Sequence, residues 1–180
     1  SVDRQLDEIK NPNEALRYID TLKVIDGVKA RIIKEPTSRY IRDNETLDRA
    51  NSTHQSILQQ LWDLFRKHGY DTRFSKTVDF FAYNEENAFL IEIKSTENRN
   101  FRTQARKGIA QLFEYEYFDV KKFAEDKQLV FDQKHKIIIP SQSPKDTRYV
   151  EFINSLKIGV AMVNRDNLKP VGVDFGFSKL

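Results

Sequence analysis

Two short runs in the C-terminal half, KIIIP at 136–140 and IGVAMV at 158–163, are apolar at almost every position. Side chains alternate faces along a strand, so a strand that is apolar on both faces must be covered from both sides. Each run follows a stretch with helical spacing, the first at about 102–118 and the second in DTRYVEFINSL. Helices that return the chain to adjacent buried strands are the mark of an α/β layered domain. Upstream, YDTRF, TVDFFAY and AFLIEIKS read as three strands, with YNEEN as the turn between the last two. The expected architecture is therefore α/β, with a mixed central sheet flanked by helices.

Before these strands, Ile57, Leu58, Leu61, Trp62, Leu64 and Phe65 recur at helical spacing until Gly69. The Asn51-Ser52-Thr53 triplet supplies N-cap candidates for that helix. A last edge segment is expected at PVGVDFG. Residues 1–48 read differently, as a short helix and one or two strands with Gly27 in a turn, followed by an irregular connector after Pro36. They are expected to form a structural or partner-contacting extension to a main domain over 49–180.

Composition narrows the function classes. The chain of 180 residues has no cysteine, which removes disulfides, thiolate metal sites and thiol nucleophiles and suits a reducing, cytoplasmic setting. No apolar run approaches the roughly 20 residues of a membrane helix, and no secretory signal pattern opens the chain. Ser1 in place of Met is expected of a processed product or of a piece cut from something longer. A net charge of +3 is too small to imply a polyanionic partner by itself. Six glycines form no phosphate-cradling loop of either common type.

Charge inside the second and third strand segments calls for an explanation. Glu85 and Glu86 belong to the turn, but Asp79, Glu92 and Lys94 interrupt apolar runs. Glu92, Lys94 and Leu90 share one face of their strand, and Phe89, Ile91 and Ile93 take the other. The short turn is expected to bring Asp79 beside Glu92. Two close carboxylates repel, and a hard divalent cation relieves that repulsion while Lys94 stabilises charge developing on a phosphate. The simple alternative is a Glu92–Lys94 salt bridge at a sheet edge, with Asp79 closing a turn.

Asp79, twelve intervening residues and then Glu92-Ile93-Lys94, following one helix in this order of elements, resembles the PD-(D/E)XK nuclease superfamily. The resemblance covers residues 51 to about 140 and implies a restriction-endonuclease-like core of order αβββαβ. Val78 stands where the motif has proline. Gln111 to Tyr115, QLFEY, is similar to the Gln-x-x-x-Tyr motif of RecB-type nucleases in that superfamily. The resemblance implies a Mg²⁺- or Mn²⁺-dependent nuclease hydrolysing phosphodiesters, with DNA the expected substrate and RNA also compatible. It implies metal binding by Asp79, Glu92 and the Ile93 carbonyl, and catalytic roles for Asp79, Glu92, Lys94, Gln111 and Tyr115. The rival expectation is a non-catalytic nuclease-like domain that binds nucleic acid or serves as an assembly module, as a homodimer or within a larger protein.

Other residues fit a nucleic-acid surface. Lys94, Arg99, Arg102, Arg106 and Lys107 fall within fourteen residues that contain one acid, Glu97. They surround the start of the second helix, where free N–H groups already favour anions. Gln104, Gly108, Gln111 and Tyr115 share one helical stripe, beside an expected buried arc of Ala105, Ile109, Leu112 and Phe113. His54 shares a stripe with Leu58, Leu61 and Phe65 and is expected to point inward from the first turn of its helix. Many members of the superfamily have a metal-site Glu on that helix, and His54 and Gln55 are the polar residues nearest its place.

Overall fold

A computed structural model describes residues 17–18, 44–75, 77–97 and 100–180. In chain order the elements are β1 (Arg17–Tyr18), α1 (Asn44–Lys67), β2 (Asp71–Phe74), β3 (Phe80–Tyr83), β4 (Asn87–Lys94) and α2 (Phe101–Tyr115). A π-helical turn, Glu116–Val120, leads into α3 (Lys121–Lys127), followed by β5 (Gln133–Pro140), α4 (Thr147–Ser155), β6 (Ile158–Val163) and β7 (Leu168–Pro170). A 3₁₀ turn, Phe177–Lys179, closes the chain. Apart from β1, the features expected over residues 1–43 lie outside the described residues.

The strands form one mixed sheet in sequence order, β1 to β7. β2, β3 and β4 form an antiparallel meander, whereas β4, β5 and β6 run parallel. α2 with α3, and then α4, supply the crossovers that parallel neighbours require. On one face α1 packs Ile57, Leu58, Leu61, Leu64 and Phe65 against Phe89, Ile91, Ile93, Ile137 and Ile139. On the other face, Ala105 and Leu112 of α2 and Val150 and Ile153 of α4 cover Leu90, Ile138 and Val160. The α/β/α layering expected from the two apolar runs is present, and β5 is buried along KIIIP as that pattern requires.

Three elements differ from expectation. α1 begins at Asn44 rather than at the 51–53 triplet. Nothing in NETLDRA breaks a helix, and Ser52 and Thr53 lie on its exposed side in mid-helix. Consequently position 48 falls inside α1, and His54 lies well beyond the first turn. α1 stops where expected, because Gly69 takes φ +79°. There Tyr70 N–H donates to the Phe65 carbonyl and Gly69 N–H to that of Arg66, both at 3.0 Å.

The second helix does not stop near 118. With no proline or glycine between 116 and 127, the chain continues through the π-helical turn to Lys127, where Gln128 adopts φ 55°. Phe113, expected in the buried arc, is 44% exposed and lies under the Lys136 ammonium at 5.1 Å. The last strand is Leu168–Pro170 rather than PVGVDFG. Gly172 at φ +88° turns the chain, and Asn154 Oδ1 then accepts Val173 N–H at 2.9 Å. Among the described residues, no helix is long and apolar enough to cross a membrane.

Candidate active site

β4 is a central strand, paired with β3 on one side and β5 on the other. Its C-terminal half carries Glu92 and Lys94 on the face covered by α2. Glu92 is 3% exposed and Asp79 7%. Two carboxylates this deep are costly unless something specific compensates them.

Asp79 is not on β3, as expected, but in the bend immediately before it. The reason lies in the hairpin. Asn84 N–H donates to the Asn87 carbonyl, which fixes the parity of the antiparallel ladder. Hydrogen-bonded pairs then fall at 82/89 and 80/91, and 78/93 would be next. Val78 leaves that ladder. Its N–H donates to Ser75 Oγ at 3.0 Å, and its carbonyl accepts Ser75 N–H at 3.1 Å. Asp79 takes its place, with Oδ2 accepting Ile93 N–H at 3.1 Å.

This break has a chemical consequence. In a strand, the N–H and C=O of one residue point to the same side. The Ile93 carbonyl therefore faces the side on which Asp79 sits. Continuing the register from Phe80↔Ile91 puts Asp79 opposite Glu92. The Asp79 carboxylate itself is held on the Ile93 N–H, next in the chain to Glu92.

Lys94 Nζ donates to Glu92 Oε1 at 2.7 Å and also to Gln111 Oε1. Gln111 Nε2 in turn donates to the Tyr115 hydroxyl at 2.7 Å. The amide is oriented by both contacts, because its oxygen can only accept and its nitrogen only donate. Glu92, Lys94, Gln111 and Tyr115 thus form one continuous chain between β4 and α2. Gly108, on the same α2 stripe, leaves room for the lysine stem: a Cβ there would lie 3.2 Å from Lys94 Cε.

His54 Nε2 lies 3.8 Å from Asp79 Oδ1, so α1 does point its histidine at this centre. The basic surface residues divide. Arg102 Nη2 donates to Asp146 Oδ2 at 2.8 Å and lies over the Tyr149 ring, tying α2 to the start of α4. That contact, with the backbone Tyr149 N–H, pulls the Asp146 carboxyl below the usual carboxylate range. Arg106 and Lys107 are exposed, Gln104 is half-buried, and Arg99 lies outside the described residues.

Two features escape a reading of the sequence. Thr96 and Ser141 lock the ends of β4 and β5: Thr96 N–H donates to Ser141 Oγ at 2.8 Å, and Gln142 N–H to Thr96 Oγ1 at 3.2 Å. Hydroxyl residues just past both strands, in KST and PSQS, are the available signal. The second is Asp119, whose Oδ2 accepts from Thr77 Oγ1 at 3.3 Å across 42 positions, a separation that no local pattern reveals.

Among the described residues, no group of three or more His, Cys, Asp or Glu side chains is gathered at metal-ligand distance. The oxygens of Asp79, Glu92 and the Ile93 carbonyl along this stretch are all hard donors. Mg²⁺ suits such a set, since one or two carboxylates with waters and substrate phosphate commonly complete its shell. No protein-family model, curated protein or solved structure matches the chain, so interpretation rests on the chemistry of these residues.

Proposed function

We propose that the protein is a divalent-metal-dependent nuclease of the PD-(D/E)XK type, hydrolysing phosphodiester bonds in DNA. One observation carries this reading: the buried Glu92–Lys94 pair lies on a central strand, and between them the Ile93 N–H is taken by Asp79 where the hairpin ladder is broken. A simple salt bridge belongs at an exposed sheet edge, where its desolvation cost is small. Here the Lys94 and Glu92 side chains are 11% and 4% exposed. Retaining charge at such cost, when an apolar pair would pack as well, fits a site kept for chemistry. An antiparallel β2–β3–β4 meander after α1, followed by parallel β5 and β6, supports the same reading.

Asp79, Glu92 and the Ile93 carbonyl would hold Mg²⁺ or Mn²⁺, which when bound would polarise the scissile phosphate and make a water more acidic. Lys94 supplies an ammonium fixed at two points, able to orient the attacking water and offset charge developing on phosphorus. Gln111 holds that ammonium from above, and Tyr115 fixes the Gln111 amide. In hydrolysis the water oxygen bonds to phosphorus, one ester P–O bond breaks, and the departing oxygen takes a proton.

Cleavage of plasmid and single-stranded DNA with Mg²⁺ or Mn²⁺ tests this. Asp79→Ala and Lys94→Ala are each expected to lower the rate by about 10²–10³-fold, the scale seen when one preorganised electrostatic contact is removed. Equal activity in all three proteins would remove these residues from the mechanism. Calorimetry separates the rival: no uptake of divalent ion, with nucleic-acid binding retained, would mark a non-catalytic binding module.

A further inference from the structure

The helix that fixes Lys94 also reaches the bend that carries Asp79. α2 contributes Gln111 and Tyr115, and the π-helical turn directly after Tyr115 contributes Asp119. π turns interrupt α-helices mostly as single turns and recur at functional sites. From this turn, Asp119 Oδ2 accepts from Thr77 Oγ1, and Thr77 Oγ1 is also 3.0 Å from Ser75 Oγ. Ser75 is the hub of the bend: its Oγ accepts Thr77 N–H at 3.2 Å and Val78 N–H at 3.0 Å. Those are the contacts that withdraw Val78 from the ladder and hand Ile93 N–H to Asp79.

We propose that Asp119 is a positioning residue for Asp79, acting through Thr77 and Ser75 to hold the ladder break open. One helix then sets both halves of the centre, Lys94 through Gln111 and Asp79 through Asp119. Val78 anchors the same bend by packing in the cluster that contains Tyr115 and Val120. Losing the polar strap therefore leaves an apolar plug in place. Asp119 is half-buried and Thr77 exposed, so substitutions at either are compatible with folding. The link to metal binding rests on the function proposed above, whereas the positioning of Asp79 does not.

The test is amide exchange at Ile93, measured by NMR without metal, against Phe89, whose amide lies in the intact ladder opposite Ala82. Loss of one hydrogen bond of ordinary net strength predicts that Asp119→Ala and Thr77→Val each speed Ile93 exchange about three- to tenfold, with Phe89 unchanged. Asp119→Asn, whose amide oxygen can still accept from Thr77, is expected to stay close to wild type. The Thr77→Val/Asp119→Ala double variant should show no loss beyond Thr77→Val alone, because that substitution already removes the Asp119 contact along with the one to Ser75. Mn²⁺ affinity by calorimetry should weaken in step with exchange.

An unchanged Ile93 rate in Asp119→Ala, additive single effects, or an Asn variant as impaired as the Ala variant would each overturn the strap. If the wild type takes up no Mn²⁺, the metal reading falls while Ile93 exchange still decides the strap. If Mn²⁺ binds and exchange does not respond, the strap falls and the nuclease reading stands.

Discussion

A methyl group added at Gly108 would lie 3.2 Å from Lys94 Cε and 3.3 Å from Ile138 Cδ1. Alanine in a helix interior gains about 0.5–1 kcal/mol over glycine, which offsets the cost of tight contact. Gly108→Ala is therefore expected to leave the melting temperature nearly unchanged while pushing the lysine stem and slowing the proposed cleavage several-fold; melting and rate measured together check this. A second residue-scale effect lies at the other end of the sheet. His135 stacks on Phe89 with ring centroids 4.5 Å apart, and burial pushes its pKa below the ordinary 6.5, with the Asp174 charge opposing that shift in part. The unfolded chain then takes up the proton first as pH falls. Stability from the neutral, stacked ring is present above about pH 6.5 and lost through the window below it, down to the folded pKa. Urea titrations at pH 5 and 7.5 should show a drop in wild type that His135→Gln reduces.

At the scale of elements, the C-terminal 3₁₀ turn is held to β6 by one aromatic ring. Phe177 is fully buried, and a Cβ at Gly159 would approach its Cε1 to 2.6 Å. Gly159→Ala must displace that ring and is expected to cost about 1–3 kcal/mol, the usual range for overpacking, read by chemical denaturation. Phe177→Ala should cost about 3–5 kcal/mol. Which elements are legible in the sequence follows from the same physics. KIIIP and IGVAMV announce their strands because burial on both faces leaves no room for polar residues. The end of α1 is legible because a positive φ favours glycine. Its start is not, since Asn51, Ser52 and Thr53 are cap formers that helices also tolerate in mid-course. The π turn has no sequence mark either: Glu116 to Val120 reads as ordinary helix until the register of α3 is known.

Across the whole molecule, the candidate centre is partly written in the chain and partly made by tertiary structure. Asp79, Glu92 and Lys94 stand out because charge interrupts an apolar pattern, Gln111 and Tyr115 because of their spacing on one helical stripe, and α2 brings Gln111, held by Tyr115, onto Lys94. The ladder break at Val78 and the Asp119 contact arise only when distant segments meet, so no periodicity foretells them. The sheet also has an unusual simplicity, since spatial order follows chain order from β1 to β7. No later strand must wedge between two that have already paired. During synthesis, which proceeds from the N-terminus, the sheet can grow outward by one edge at a time. The residues proposed for chemistry all lie between 54 and 115, so they emerge before β5 exists to cover the open flank of β4. A nascent chain at that stage exposes the β4 edge to water, and the charges of Glu92 and Lys94 on that strand then guard the growing edge against pairing with a neighbouring chain.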